Sequence, residues 1–153
     1  FISTNPYRLL VTGRVKHFIS AFGEHVIAEE VEYALMLAAK EENIHITEFT
    51  VAPYISQDGG ASYHEWFVEF ENQPDNLKAF AKKVDNNLRQ KNVYYDDLIS
   101  GNILDILHIN PMQKNSFIDY MKSIGKLGGQ NKLPRLSNDR KIADAISGFI
   151  MHA

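Results

Sequence analysis

The sequence predicts an α+β fold: a mainly antiparallel sheet with helices packed on it, plus an N-terminal β-hairpin. Three observations carry that prediction. Segments 46–56 and 62–71 are rich in β-branched and aromatic residues, and Asp58-Gly59-Gly60 between them is a strong turn signal. Segments 27–42 and 77–88 repeat apolar residues at helical spacing. Strand pairs interrupted by helices, without strict strand–helix alternation, favour an antiparallel sheet covered by helices.

Each element has its own reason. Residues 6–11 read as a short strand, and Thr12-Gly13 turns into a second strand over 15–20, giving the hairpin. Gly23 makes a further turn. Ile27, Val31, Leu35 and Ala38 then mark one helix face, with Glu29, Glu30 and Glu32 early and Lys40 late, an order that complements the helix dipole. In strand 62–71, Trp66, Val68 and Phe70 point one way, and Glu65 and Glu69 point the other. One face therefore meets the core, and the other is wet or covered. Pro53 predicts an edge position or a bulge for strand 46–56.

Pro74 suits the opening turn of a helix carrying Leu77, Phe80, Val84 and Leu88. A short helical piece over 96–99 ends at Gly101, and strand 104–109 is stopped by Pro111. Residues 114–124 read as a helix burying Phe117, Met121 and Ile124. A glycine-rich loop spans 125–135. A last helix starts near Asn138-Asp139 and carries Ile142, Ile146 and Phe149.

Bulk properties narrow the function. A net charge of -3 gives no basic footprint for nucleic acid. The absence of cysteine excludes disulfides, thiolate nucleophiles and Cys-type zinc sites, and fits a reducing, cytoplasmic location. No apolar run approaches the ~20 residues of a membrane span, so no membrane partner is expected. The chain opens on Phe1, not Met, and reads as a piece of a longer protein. The six histidines are scattered; Glu24, His25 and Glu29 can be drawn as a metal site, but no close ligand motif supports one and no metal is expected.

Two segments could carry chemistry. The loop Gly125-Lys126-Leu127-Gly128-Gly129-Gln130-Asn131-Lys132-Leu133-Pro134-Arg135 offers glycines that allow close backbone approach, three cations, and amide donors suited to a phosphate or carboxylate. Taken alone, the loop reads more simply as a solvated connector whose cations face water, since it is not a Walker pattern. Near the start, Gly13-Arg14-Val15-Lys16 puts two cations on one face of a strand. Arg presents a planar fork for phosphate, carboxylate or ribose, whereas a charged strand edge that resists aggregation is the plainer alternative. Trp66, Phe67, Tyr94 and Tyr95 read as core or interdomain packing more readily than as stacking platforms.

Taken together, the run from Gly13 to Glu32 (G-R-V-K-x-x-I-x-x-x-G-x-x-V-x-x-x-E-V-E) and the later G-G-Q-N-K-L-P-R resemble the hinge and terminal-lysine motifs of the acyl-adenylate-forming superfamily. The spacing of N-K-L-P-R after S-F-I-D-Y-M-K-S-I-G is most similar to the Gretchen Hagen family of auxin-responsive acyl-acid amido synthetases, in a bacterial-type member. Gln130-Asn131-Lys132 replaces the superfamily's usual Ser/Thr-Gly-Lys, which points away from a coenzyme A ligase.

The resemblance implies a lead-in and hinge hairpin over 1–22 and a C-terminal lid domain over 23–153, with a large N-terminal adenylation domain as partner. It implies a catalytic Lys132. It implies nucleotide contacts from Arg14, Lys126 and Arg135, and a hinge at Gly13 and Lys16. ATP and Mg would be held mainly by the adenylation domain, and the substrates would be a small carboxylic acid and an amino acid. Two other readings compete: a non-catalytic protein-interaction module using the sheet face around Trp66 and Phe70, and the lid of an acyl-coenzyme A ligase.

Overall fold

The computed structural model describes residues 18–125 and 133–151. The strand predicted over 6–11 and the cationic strand start lie outside them. Described elements begin with β1 (Phe18–Ile19) and β2 (Val26–Ile27), which pair antiparallel around the turn at Gly23. Helix α1 (Ala28–Glu41) follows, then β3 (Ile46–Tyr54) and β4 (Tyr63–Phe70). Next come α2 (Leu77–Lys91), α3 (Val93–Ser100), β5 (His108–Pro111), α4 (Ser116–Ser123) and α5 (Lys141–Ile146), the last continued by a 3-10 turn at Ser147–Phe149. The architecture is α+β.

The main sheet has the order β3-β4-β5. β3 and β4 are antiparallel, with Val51 opposite Trp66, whereas β4 and β5 are parallel. β3 is an edge strand of this sheet, as Pro53 requires. Both faces are covered. Phe49, Val51, Trp66, Val68 and Phe70 pack with Val31, Leu35 and Ala38 of α1 and with Phe80, Val84 and Leu88 of α2. The alternate residues Ala52 and Phe67 pack with Met112, Phe117 of α4, and Ala143 and Ile146 of α5. Period-2 alternation thus serves two cores, and each large apolar side chain buried contributes about 1.5–3 kcal/mol.

Element predictions need correction at three places: the short helix, the strand before Pro111, and the helix expected over 114–124, whose Ile124 is exposed and not buried. The short helix is not confined to 96–99: Asn92 caps α3 by accepting the Tyr95 N–H at 2.9 Å, so the helix starts at Val93 directly after α2. The strand expected over 104–109 lies later, over His108–Pro111, with Pro111 inside it. Pro111 is tolerated because its peptide group faces away from β4; its carbonyl accepts the Met151 N–H at 2.7 Å, while Met112 N–H bonds Val68 O at 2.9 Å. The predicted wet-or-covered side of β4 is covered, and Glu69 is buried there at the start of α4. Its carboxylate accepts the backbone N–H of Asn115 at 3.0 Å and of Phe117 at 3.4 Å, with Ser116 Oγ at 3.5 Å. A carboxylate at that place also complements the positive end of the helix dipole.

Candidate functional site

Of the predicted site residues, Gly13, Arg14, Lys16, Lys126 and Lys132 lie outside the described residues, and only Arg135 lies within them. The segments that flank both motifs are described, and they meet. After β1 the chain turns: Gly23 N–H bonds Ser20 O at 3.0 Å, with Gly23 at φ +92°, a conformation that glycine adopts without strain. On the other side, Leu133 directly follows Lys132 and packs against the Phe67–Phe117 core. Thr50 Oγ1 donates to Pro134 O at 2.8 Å. Val51 N–H bonds Arg135 O at 3.0 Å, and Ser137 N–H bonds Val51 O at 2.9 Å, which lays residues 135–137 along the outer edge of β3. The two flanks then join, because Ser20 N–H donates to Asn138 Oδ1 at 2.9 Å across 118 positions of sequence.

Arg135 is already engaged. Its guanidinium pairs with Glu48 and lies over the Phe49 ring at 4.9 Å. Sequence reading passed over Arg140, which is more deeply tied. It pairs with Glu65 at 2.8 Å and Asp144 at 3.1 Å, and donates to Pro53 O at 3.2 Å. The sheet face proposed for an interaction module is not open, since Trp66 and Phe70 are buried beneath α1 and α2. Tyr95 is core, as expected, but its neighbour Tyr94 is 62% exposed.

A buried polar chain crosses the core, and composition gave no hint of it. Glu24 and His64 are both 0% exposed, and Glu24 Oε2 lies 2.6 Å from His64 Nε2. The His64 ring sits 5.0 Å from that of Tyr95. Tyr95 donates its hydroxyl to Asp85 Oδ1, which also accepts Leu107 N–H at 3.3 Å. Burial pushes the Asp85 carboxyl above the usual carboxylate range, against the opposing pull of those two hydrogen bonds. Burial, and then the charge of Asp85, push Tyr95 well above an ordinary phenol. Glu24 is therefore held by His64 and by the Phe22 N–H. Among the described residues no group of three or more His, Asp or Glu is placed to hold a metal. An open groove of about 660 Å³ lies between α2 and β5, lined by Leu77, Lys78, Lys82, Asp105, His108 and Asn110. Arg135, the one predicted site residue among those described, does not border it.

The fold is an α+β domain in which the flanks of both motifs are paired. The family model described as the GH3 family C-terminal domain matches residues 29–141. The chain belongs to the GH3 family, as its C-terminal domain. No curated protein sequence matches it. Among solved structures, "GH3.15 acyl acid amido synthetase" is similar with a TM-score of 0.69 at 13% identity, covering 90% of this chain and 27% of that one. "AtGH3.15 acyl acid amido synthetase in complex with 2,4-DB" is similar with a TM-score of 0.68 at 12% identity, covering 90% of this chain and 26% of that one. At that identity the likeness is one of fold, and the chain spans about a quarter of the length of these solved structures. Among the described residues no helix is long and apolar enough to cross a membrane.

Proposed function

We propose that the chain is the C-terminal lid of an ATP-dependent acyl-acid amido synthetase, working against an N-terminal adenylation domain in the cytoplasm. The full enzyme activates a small carboxylic acid as its acyl adenylate and passes the acyl group to an amino acid. Lys132 is the catalytic cation, Arg14, Lys126 and Arg135 contact the nucleotide, and Gly13 with Lys16 forms the hinge. ATP and Mg are held mainly by the adenylation domain. Attack of a carboxylate on a phosphate builds negative charge between groups that are already anionic, and a cation delivered from a mobile lid offsets it where it develops.

The observation that supports this reading is the Ser20–Asn138 hydrogen bond, which joins the two motif flanks at one place. Lys16 precedes Ser20 by four positions in the sequence. Lys132 is bonded directly to the anchored Leu133. A cation needed at a defined point gains from such an anchor, because placement errors of an ångström cost on the order of 100-fold in rate. Family membership favours amide formation over thioester formation, and product analysis with amino acids against coenzyme A separates the two. The decisive test is Lys132→Ala in the full-length protein. Acid-dependent pyrophosphate exchange should fall by about 100- to 1000-fold, a barrier increase of ~2.7–4 kcal/mol. A near-normal exchange rate would refute the assignment.

A further inference from the structure

We infer that Glu24 and His64 are positioning residues: they fasten the turn over residues 20–25 to the lid's sheet. This deepens the lid reading and rests on it.

The turn over residues 20–25 is held from four directions. Glu24 Oε1 accepts the Phe22 N–H at 2.9 Å, and its other oxygen meets His64 of β4 at 2.6 Å. Asn92, the cap of α3, donates to His25 O at 3.1 Å and to Glu30 Oε1 at 3.0 Å. Asn138, beyond the lysine motif, accepts from Ser20 N–H. Ile19 and Val26 on either side of the turn are 0% exposed and belong to the larger core.

A reversal of this length needs far less. Its backbone even holds a side-chain-bearing residue in the left-handed region, His25 at φ +46°, with its ring 4.9 Å from that of Phe18. Such strain persists only where the surroundings over-determine it, and it concentrates at switch segments. A buried ionisable pair is in turn weak evidence for stability, since well-packed apolar side chains do as well. What the Glu24–His64 pair does supply is a fixed geometry. His64 Nδ1 has no hydrogen-bond partner among the described residues, so the Glu24 contact and the Tyr95 ring set the imidazole. The turn, β4 and the segment after Lys132 thereby form one body. The segment that follows Lys132 is thereby tied, through Asn138 and Ser20, to the same turn.

The test uses the full-length enzyme carrying Glu24→Gln or His64→Gln, with folding checked by circular dichroism. Hydrogen exchange at Phe22 and Gly23 should quicken by at least about tenfold, with the β3 and β4 amides unchanged. Acid-dependent pyrophosphate exchange should lose about 10- to 100-fold in kcat, with KM for ATP and acid unchanged. Amide formation from added acyl adenylate should stay within about twofold of the wild-type rate, because that step does not use the Lys132 placement. Wild-type exchange at the turn together with wild-type kcat overturns the inference. So does a parallel fall of both half-reactions that tracks loss of folded protein. If neither variant folds, Asn138→Ala cuts the tie on the other side of the turn and must show the same kcat-only loss; a wild-type kcat there overturns the proposal. Lys132→Ala separates the two layers: normal exchange of pyrophosphate in that variant defeats the lid reading, and the hydrogen-exchange arm still decides whether the pair fastens the turn.

Discussion

Tyr95 Oη and Asp85 Oδ1 lie 2.5 Å apart in the core, with Asp85 only 1% exposed. Burial outweighs the opposing hydrogen bonds from Tyr95 and Leu107, so the folded protein keeps a carboxyl whose proton is held more tightly than in the unfolded chain. That contribution to stability is full below the ordinary carboxylate range and is lost as pH rises through the raised folded value. Asp85→Asn keeps an acceptor for Tyr95 and Leu107 without the buried charge. The variant should melt higher than the wild type at pH 7, and the gap should shrink as pH is lowered toward the carboxylate range. Thermal denaturation across pH checks this; a gap that widens on acidification would contradict it.

His25 at φ +46° makes a second, local prediction. An L-residue in that region costs roughly 1–2 kcal/mol, whereas glycine does not incur the cost. His25→Gly and His25→Ala both lose the ring contact with Phe18. They differ in strain, so the glycine variant should be the more stable by about 1 kcal/mol in urea denaturation. Equal stabilities would mean that the turn relaxes when the side chain is removed.

Glu69 ties β4 to the start of α4, and it is buried while doing so. Glu69→Ala strands two backbone donors and a hydroxyl, which should cost about 2–3 kcal/mol. Glu69→Gln keeps an acceptor but loses charge, and should cost about 1 kcal/mol. Chemical denaturation of the two variants, read with hydrogen exchange at Asn115 and Phe117, tests the order. An alanine variant as stable as the glutamine one would show that the carboxylate does not cap the helix.

How far the sequence could be read depended on whether the signal was local. The alternation of Trp66, Val68 and Phe70 and the helical spacing of Phe80, Val84 and Leu88 report on their own segments, so the sheet and the long helices were legible. Pro53 marked an edge strand correctly for the same reason. Glu24 was not legible. A glutamate after Gly23 looks like a solvated turn residue, and its burial is caused by His64, 40 positions away. Asn92 gives no local signal, because a cap between two consecutive helices has no apolar period to announce it. Pro111 was misleading: what matters is which way its peptide group faces in a parallel pair, and that depends on register with β4. For the candidate site, the sequence names cations in two distant motifs by residue type, and only the fold shows that the flanking residues Ser20 and Asn138 meet.

The bonds from Val51 to Arg135 and Ser137 have a consequence for solubility. Residues 135–137 act as a permanent selvedge on β3, occupying donors and acceptors that another polypeptide could otherwise take. If the lysine-bearing segment were to peel away from the lid during a catalytic cycle, each turnover would bare a sticky strand edge. On the proposed lid reading, a domain that moves without undressing this sheet edge avoids that hazard.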